Sequence, residues 1–406
     1  MSESRASHPL PAEGGAPEAA RLRNLVFAGF VLTGVVTTIL GPILPFLSAR
    51  WSLNDAQAGF FFTAQFLGSL SGVGAFSVLS RRRGLRGIIL AGYLLMIAGV
   101  ALLAARVHGI SLLGIFLAGA SLGMVITASN LLVAAGSAAN RAAVLSLLNV
   151  AWGVGAALCP FLVAVTVPRV GLGAFLLLVA GALAMLFLAL AASRAPRCAS
   201  ATEAQPPAAG RPGNSSRFAG LAGMAALFFL YVGTENALGG WATSFAKRLE
   251  SGHQQMAQLA PTLFWGALLL GRVAAPALLR HVSELRIALG GLALVFASSL
   301  FLQMAAATPA ALAGLALAGL GCAAVFPIFV AWLSALPGFA QSGLRGVPFA
   351  CGNLGGATLP WLVGAVSTRF GGLKPGFLVV VLASALLLVS TRIVQRRIAS
   401  PPRAAQ

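Results

Sequence analysis

The sequence predicts an all-α integral membrane protein, with 12 transmembrane helices in two pseudo-symmetric six-helix bundles. Three observations carry this expectation. First, 58% of the 406 residues are hydrophobic and 9% are charged, with a mean hydropathy of +0.92, far from the composition of soluble domains. Second, the apolar residues gather in twelve runs, each near the roughly 20 residues needed to cross a hydrocarbon core of about 30 Å. Third, residues of the first half recur at a nearly constant offset in the second.

The runs fall near residues 24–47, 58–80, 87–105, 111–135, 143–167 and 172–193 in the first half, and 218–246, 257–279, 287–306, 309–333, 346–368 and 375–392 in the second. Short charged or Pro/Gly-containing breaks separate them. The first run follows Arg21 and Arg23 and is too long for a signal-peptide core, so no cleavable signal is expected. Residues 194–217 are rich in Ala, Pro, Gly and Ser, too polar to cross and too poor in large apolar residues to fold alone. The expected organisation is a cytoplasmic tail (1–23), a first bundle (24–193), a cytoplasmic linker (194–217), a second bundle (218–392) and a cytoplasmic tail (393–406).

The repeat is visible residue by residue. At an offset of 200, Gly155, Ala157, Pro160, Leu162, Val163, Arg169 and Gly171 match Gly355, Ala357, Pro360, Leu362, Val363, Arg369 and Gly371. At 198, Gly41, Gly68, Arg82 and Gly123 match Gly239, Gly266, Arg280 and Gly321. One six-helix unit used twice in parallel is an architecture in which two bundles rock about a midplane site.

Charge supplies the orientation. Of the 27 Lys and Arg, only Arg50, Arg106, Arg169, Lys247, Arg248, Arg369 and Lys374 fall on one set of alternating segments. The other set holds the remainder together with both termini, so the termini are expected in the cytoplasm and the protein in the plasma (inner) membrane. The formal charge of +19 is thereby explained by loops at a membrane surface, and no nucleic-acid partner is expected. The four cysteines, Cys159, Cys198, Cys322 and Cys351, form no CxxC pair and read as packing or linker residues. His8, His108, His253 and His281 are scattered through tails and loops, so no metal site is expected.

Seven of the eight acids lie in tails, the linker or membrane-edge loops: Glu3, Glu13, Glu18, Asp55, Glu203, Glu250 and Glu284. Glu235 alone falls well inside a span. A charge there costs at least about 2.5 kcal/mol on insertion scales, so it faces a cavity, finds a partner or is held protonated. Tyr231, Glu235 and Gly239 share one helical face, with Asn236 beside them. Two readings stand for Glu235: a cavity-lining group that binds solute or a cation, or a structural carboxylate bonded to a neighbouring helix. The following Gly239-Gly240 pair is either a helix break at a gate or a close packing point. Trp241 is either a sugar-stacking platform or a residue of the interfacial aromatic belt, the belt being the better fit.

Thr33, Thr37, Gln65, Thr127, Asn130, Asn149 and Asn353 add neutral polar groups to spans one, two, four, five and eleven. Amides and hydroxyls offer donors and acceptors that suit a polyhydroxylated ligand, and equally serve as bonds between helices. Trp152, Trp265, Phe326, Phe329, Trp332 and Trp361 offer stacking faces or packing bulk. One acid forms no catalytic pair, and no nucleophile with its base, metal cluster or phosphate loop is found, so an enzyme is not expected.

The run Ser80-Arg81-Arg82-Arg83-Gly84-Leu85-Arg86 between spans two and three resembles the G-x-L-x-D-R-x-G-R-R loop of the major facilitator superfamily. Arg82, Gly84 and Arg86 match, while the motif's first Gly falls on Ser77 and its Asp on Arg81. Gly271-Arg272 with Arg280 and Arg286 resembles its second-half version. Within that superfamily, several segments resemble the fucose and glucose symporter branch: Gly41-Pro42-Ile43-Leu44-Pro45, Tyr231 to Glu235 and on to Gly240-Trp241-Ala242, Phe264-Trp265-Gly266, Phe326-Pro327, and Gly352-Asn353-Leu354-Gly355-Gly356 to Pro360-Trp361. The resemblance implies alternating-access transport of a small polar solute, a sugar by preference, without a cofactor other than a coupling proton or sodium ion. The fucose symporters' proton-handling acids in spans one and four have no counterpart here. The implied solute-contacting residues are Thr37, Gln65, Asn130, Asn149, Glu235, Asn236 and Asn353, with Glu235 also coupling and Arg82, Gly84, Arg86, Arg272 and Arg280 gating. The expected unit is a monomer in the lipid bilayer. An exporter of amphipathic compounds and an uncoupled facilitator are the alternatives.

Overall fold

The computed structural model describes residues 15–135, 141–193, 215–249, 254–336, 344 and 346–399. Most of the expected linker lies outside them, as do Cys198, His8, His253, Glu3, Glu13, Glu203, Glu250 and Arg345. The described chain forms fourteen helices: α1 Gly15–Thr38, α2 Leu40–Trp51, α3 Asp55–Leu79, α4 Leu85–Leu103, α5 His108–Ala135, α6 Arg141–Ala192, α7 Ser215–Lys247, α8 Gln254–Gln258, α9 Ala260–Leu278, α10 Glu284–Met304, α11 Thr308–Cys322, α12 Val325–Ser334, α13 Val347–Phe370 and α14 Leu373–Ala399.

These helices make twelve spans. Eleven stretches are long and apolar enough to cross a membrane, and one of them, within the 52-residue α6, is two spans joined at Gly171. At 1.5 Å per residue an unbroken α6 would far exceed a bilayer. Gly171 has φ 81°, and Gly371, its partner at offset 200, has φ 78° at the end of α13. Positive φ is open to glycine at little cost, so the repeated glycine takes a positive φ at matching points of the two halves, with ψ 159° at Gly171 and 27° at Gly371.

Two spans are broken well inside their length, besides the one-residue interruption between α8 and α9 at the start of span eight. Span one divides between α1 and α2, and span ten between α11 and α12. Each break lies four residues before a proline: Pro42 has no N–H for the Thr38 carbonyl, nor Pro327 for that of Ala323. By contrast α7 runs unbroken through Gly239 and Gly240, so the expectation of a helix break there is not met. Those glycines admit close approach instead. A Cβ on Gly41 would lie 3.0 Å from the Gly239 carbonyl oxygen, and one on Gly240 would lie 2.5 Å from the Phe62 ring.

Spans one to six pack mainly among themselves, as do spans seven to twelve. A Cβ on Gly155 would sit 1.8 Å from the Val31 carbonyl oxygen, and one on Gly355 would sit 1.9 Å from that of Phe229. Span five thus lies on span one as span eleven lies on span seven, and the matched glycines are what lets the backbones touch. The halves meet along a seam formed by α3 with α13, α2 with α7, and α6 with α9. An even number of crossings puts both described chain ends at one end of the bundle, here the terminal end. The opposite end carries the α2–α3, α4–α5, α7–α8 and α13–α14 connections.

Candidate functional site

Near the middle of the seam, a polar chain runs from one half to the other. Glu235 on α7 is 8% exposed. Its Oε1 lies 2.9 Å from the Tyr231 hydroxyl and 3.3 Å from Arg272 Nη2 on α9. The helical spacing of four residues puts Tyr231 and Glu235 on one face, as the sequence suggests. The Tyr231 hydroxyl is also 2.9 Å from the Cys322 carbonyl oxygen. That carbonyl ends α11, where the helix break leaves it without an intrahelical donor. A hydroxyl has one proton, so Tyr231 donates to Glu235 or to Cys322 at any moment.

Arg272 continues the chain across the seam. Its guanidinium carbon is 5.6 Å from the ring centre of Trp152 on α6, a cation–π contact between the halves. Its Nε is buried without an acceptor among the described residues. Trp152 Nε1 donates to Thr37 Oγ1 at 3.2 Å, and Gln65 Nε2 donates to the Thr37 carbonyl at 3.0 Å. Trp265 of α9 meets Trp152 edge-on with ring centres 5.9 Å apart. One connected set therefore contains Glu235, Arg272, Trp152, Thr37 and Gln65, drawn from spans seven, eight, five, one and two.

The remaining amides do not join it through hydrogen bonds. Asn130, Asn149, Asn236 and Asn353 each donate from Nδ2 to the carbonyl four residues earlier on their own helix, at 2.8 to 3.1 Å. This leaves each amide oxygen available, and Asn149 is exposed. Counted along their helices, Asn130, Asn149 and Asn353 lie toward the terminal end, whereas Gln65 and Glu235 lie deeper. Thr33 and Thr127 likewise donate to their own helices.

The residues expected to gate are placed apart from one another. Arg272 is the seam residue just described rather than a loop cation. Arg86 Nη2 lies 2.9 and 3.1 Å from the Leu190 and Ala191 carbonyl oxygens and close to that of Ser193. It closes the C-terminus of α6 within the first half, where a cation is favoured. Gly84 caps the start of α4, and the side chains of Arg82 and Arg280 are exposed.

Two residues depart from the sequence reading. Trp241, expected in the interfacial belt, is 1% exposed. It donates to the Pro360 carbonyl at 2.8 Å and packs 5.9 Å from the Phe62 ring, because the close approach at Gly240 carries it into the seam. Asp55, grouped with membrane-edge acids, is 9% exposed and bonded to Arg248 and Ser367 of the other half. The Asn54-x-x-Gln57 capping box is a legible signal that a helix starts with this acid; its burial depends on the opposing half.

Two repeated helix bundles, polar at a shared seam and broken by proline in spans one and ten, define a membrane carrier of the alternating-access class. Residues 26–360 match the family model of the Major Facilitator Superfamily. The chain belongs to that superfamily and is one of its transporters. Among solved structures, it is similar to a point variant of the E. coli fucose:proton symporter at 17% identity and a TM-score of 0.61, over 92% of this chain and 98% of that one. It is also similar to the nucleoside transporter NupG at 13% identity and a TM-score of 0.70, over 95% of this chain and 100% of that one. Identities this low speak to the fold. A search of curated proteins with the sequence finds no match.

Proposed function

We propose that the protein carries a small polar solute of the sugar or polyol class together with a proton, the proton riding on Glu235. The observation that carries this reading is the Tyr231–Glu235–Arg272–Trp152 chain across the seam. When Glu235 is ionised, it accepts from Tyr231 and attracts Arg272. When it is protonated, its carboxyl proton is given to the Tyr231 oxygen, and Tyr231 in turn donates to the Cys322 carbonyl, so neither form leaves Tyr231 unsatisfied. Protonation also removes the charge that attracts Arg272, leaving the guanidinium to its Trp152 contact and to acceptors on a bound solute. The change at Glu235 is thereby felt by both halves, which is what coupling requires. A guanidinium 3.3 Å away opposes any added positive charge at the carboxylate, and the proton is preferred because, unlike sodium, it needs no shell of oxygen ligands.

The solute class rests on the neutral amides Asn130, Asn149, Asn236 and Asn353, whose free oxygens suit hydroxyl donors. The fold likeness to a fucose:proton symporter and a nucleoside transporter supports it, since both names denote ligands with a sugar ring. With Arg272 set in the seam, the sequence still assigns 19 of 27 basic residues to the terminal-side tails and connections, which supports cytoplasmic termini in the plasma (inner) membrane. A single chain contains both halves, which supports a monomer as the working unit.

The test is uptake of labelled sugars, polyols and nucleosides into proteoliposomes, with imposed proton or sodium gradients, for wild type and Glu235→Gln. A proton gradient should accelerate wild type, and the variant should keep only gradient-independent exchange. Acceleration of the variant by the same gradient removes Glu235 from coupling. Uptake of none of these solutes, with efflux of amphipathic dyes in their place, would establish the exporter reading.

A further inference from the structure

At the end opposite the chain termini, one carboxylate holds the two halves together. Asp55 opens α3 in the first half. Its Oδ1 and Oδ2 each lie 2.6 Å from a different terminal nitrogen of Arg248, which follows the last turn of α7 in the second half. The Ser367 hydroxyl of α13 donates to Oδ2 as well. Beside them, the Ala56 amide donates to Thr368 Oγ1 at 2.9 Å. A Cβ on Gly364 would sit 2.2 Å from the Asp55 carbonyl oxygen, so the backbones are in contact where the carboxylate bonds.

The Asp55 side chain is 10% exposed and that of Arg248 is 47% exposed, so the pair sits at a rim, partly open to solvent. Each member is also favoured by its own helix: an acid in the first turn of α3 and a base just past the end of α7 both complement the helix dipole. Separation therefore leaves two ions at stable helix ends facing water rather than stranded charges, which suits a contact that opens and closes. All three hydrogen bonds to the Asp55 carboxylate cross the seam, so a movement that opens this end breaks them together.

At the terminal end, no acid among the described residues is bonded to the other half. The described carboxylates are Glu18, Asp55, Glu235 and Glu284, and Glu284 accepts from Trp332 within the second half. The exposed Arg82 turn carries Arg81 where the superfamily's loop pattern has its acid.

We infer that Asp55, Arg248 and Ser367 form an ionic latch that closes this end of the carrier and biases the resting protein toward the state open at the terminal end. The inference is independent of the solute and of Glu235. Bidentate, charge-assisted bonding at a half-exposed site sets the scale at about tenfold in the closed-to-open ratio.

The latch is tested by pulsed EPR distances between spin labels on Val107→Cys and Phe370→Cys, with the native cysteines replaced by alanine. Val107 and Phe370 are 57% and 69% exposed, lie at this end in different halves, and take no part in the latch. The parent should show mainly a short distance. Asp55→Asn and Arg248→Gln should each shift about tenfold toward a longer one, and the double variant should match the single ones because all three break one contact. Raising ionic strength should lengthen the distance in the parent and not in Asp55→Asn, a readout that stands even where Arg248→Gln fails to fold. Unchanged distances in Asp55→Asn with a lowered melting temperature would make the cluster a static brace and overturn the inference. Additive shifts, or salt insensitivity of the parent, would do the same.

Discussion

The chain has two tyrosines, both 1% exposed, and removing each hydroxyl should have unequal effects. In Tyr231→Phe the ring stays, still packed 5.9 Å from Phe326 and 6.0 Å from Phe329, so no cavity opens. What is lost is a donor shared by two acceptors at 2.9 Å, Glu235 Oε1 and the Cys322 carbonyl. A hydrogen bond to a charged group contributes about 1.5–3 kcal/mol, and a buried acceptor left bare costs about 1–3 kcal/mol. One proton cannot serve both acceptors at once, so the two figures do not add, and the expected loss is about 2–3 kcal/mol. In Tyr93→Phe the lost contact is a single 3.4 Å approach to Thr33 Oγ1, whose own proton is given to the Gly29 carbonyl. The loss there is expected at or below about 1 kcal/mol. Thermal unfolding of the purified variants in one detergent, followed by loss of the monodisperse chromatographic peak, compares them directly. A Tyr93→Phe variant at least as destabilised as Tyr231→Phe would refute the assignment of Tyr231 as the donor that satisfies the break in span ten.

The close contacts of Gly155 and Gly355 predict that Ala at either one forces backbones apart and costs several kcal/mol, read as loss of folded protein on expression. Gly173→Ala, with open space around it, should be neutral or gain up to about 1 kcal/mol; the reverse ranking would show that the matched glycines do not set the packing. Asn149→Ala and Asn353→Ala should leave thermal stability within about 0.5 kcal/mol, because their amides bond only their own helices. A fall in solute uptake at unchanged stability then marks a solute contact, whereas a large loss of stability would make these residues structural. Arg272→Ala leaves Glu235 buried without its counter-charge, a change worth about 3–5 kcal/mol. The double variant Arg272→Ala with Glu235→Gln should recover part of that stability, and no recovery in a thermal-shift assay would show that the pair is not coupled.

The superfamily, the twelve spans and the repeat are legible in the sequence because each follows from local or periodic features. A bilayer admits only segments whose backbone is satisfied internally, so apolar length alone identifies the spans. Gly171 and Gly371 recur in the repeat and both take positive φ, whereas the breaks at Pro42 and Pro327 are not legible, since Pro160, Pro276 and Pro360 sit inside helical stretches that run on unbroken. Tyr231 and Glu235 are paired by a helical spacing of four, which can be counted along the chain.

What the sequence leaves open is which groups meet across the seam, since those contacts join residues tens to hundreds of positions apart. Trp241 has the composition of a belt residue, yet close packing at Gly240 buries it. Arg272 counts as a loop cation by charge pattern, yet the stagger of α9 against α6 sets it between Glu235 and Trp152. Asp55 reads as a solvated acid at a helix start, and only the approach of Arg248 and Ser367 from the other half makes it a bond between bundles. The chain alone determines helices, turns and topology because these depend on hydrogen bonding and transfer energy within each segment; the site and the latch belong to the tertiary structure because a charge acquires its partner only when two separate helices are packed side by side.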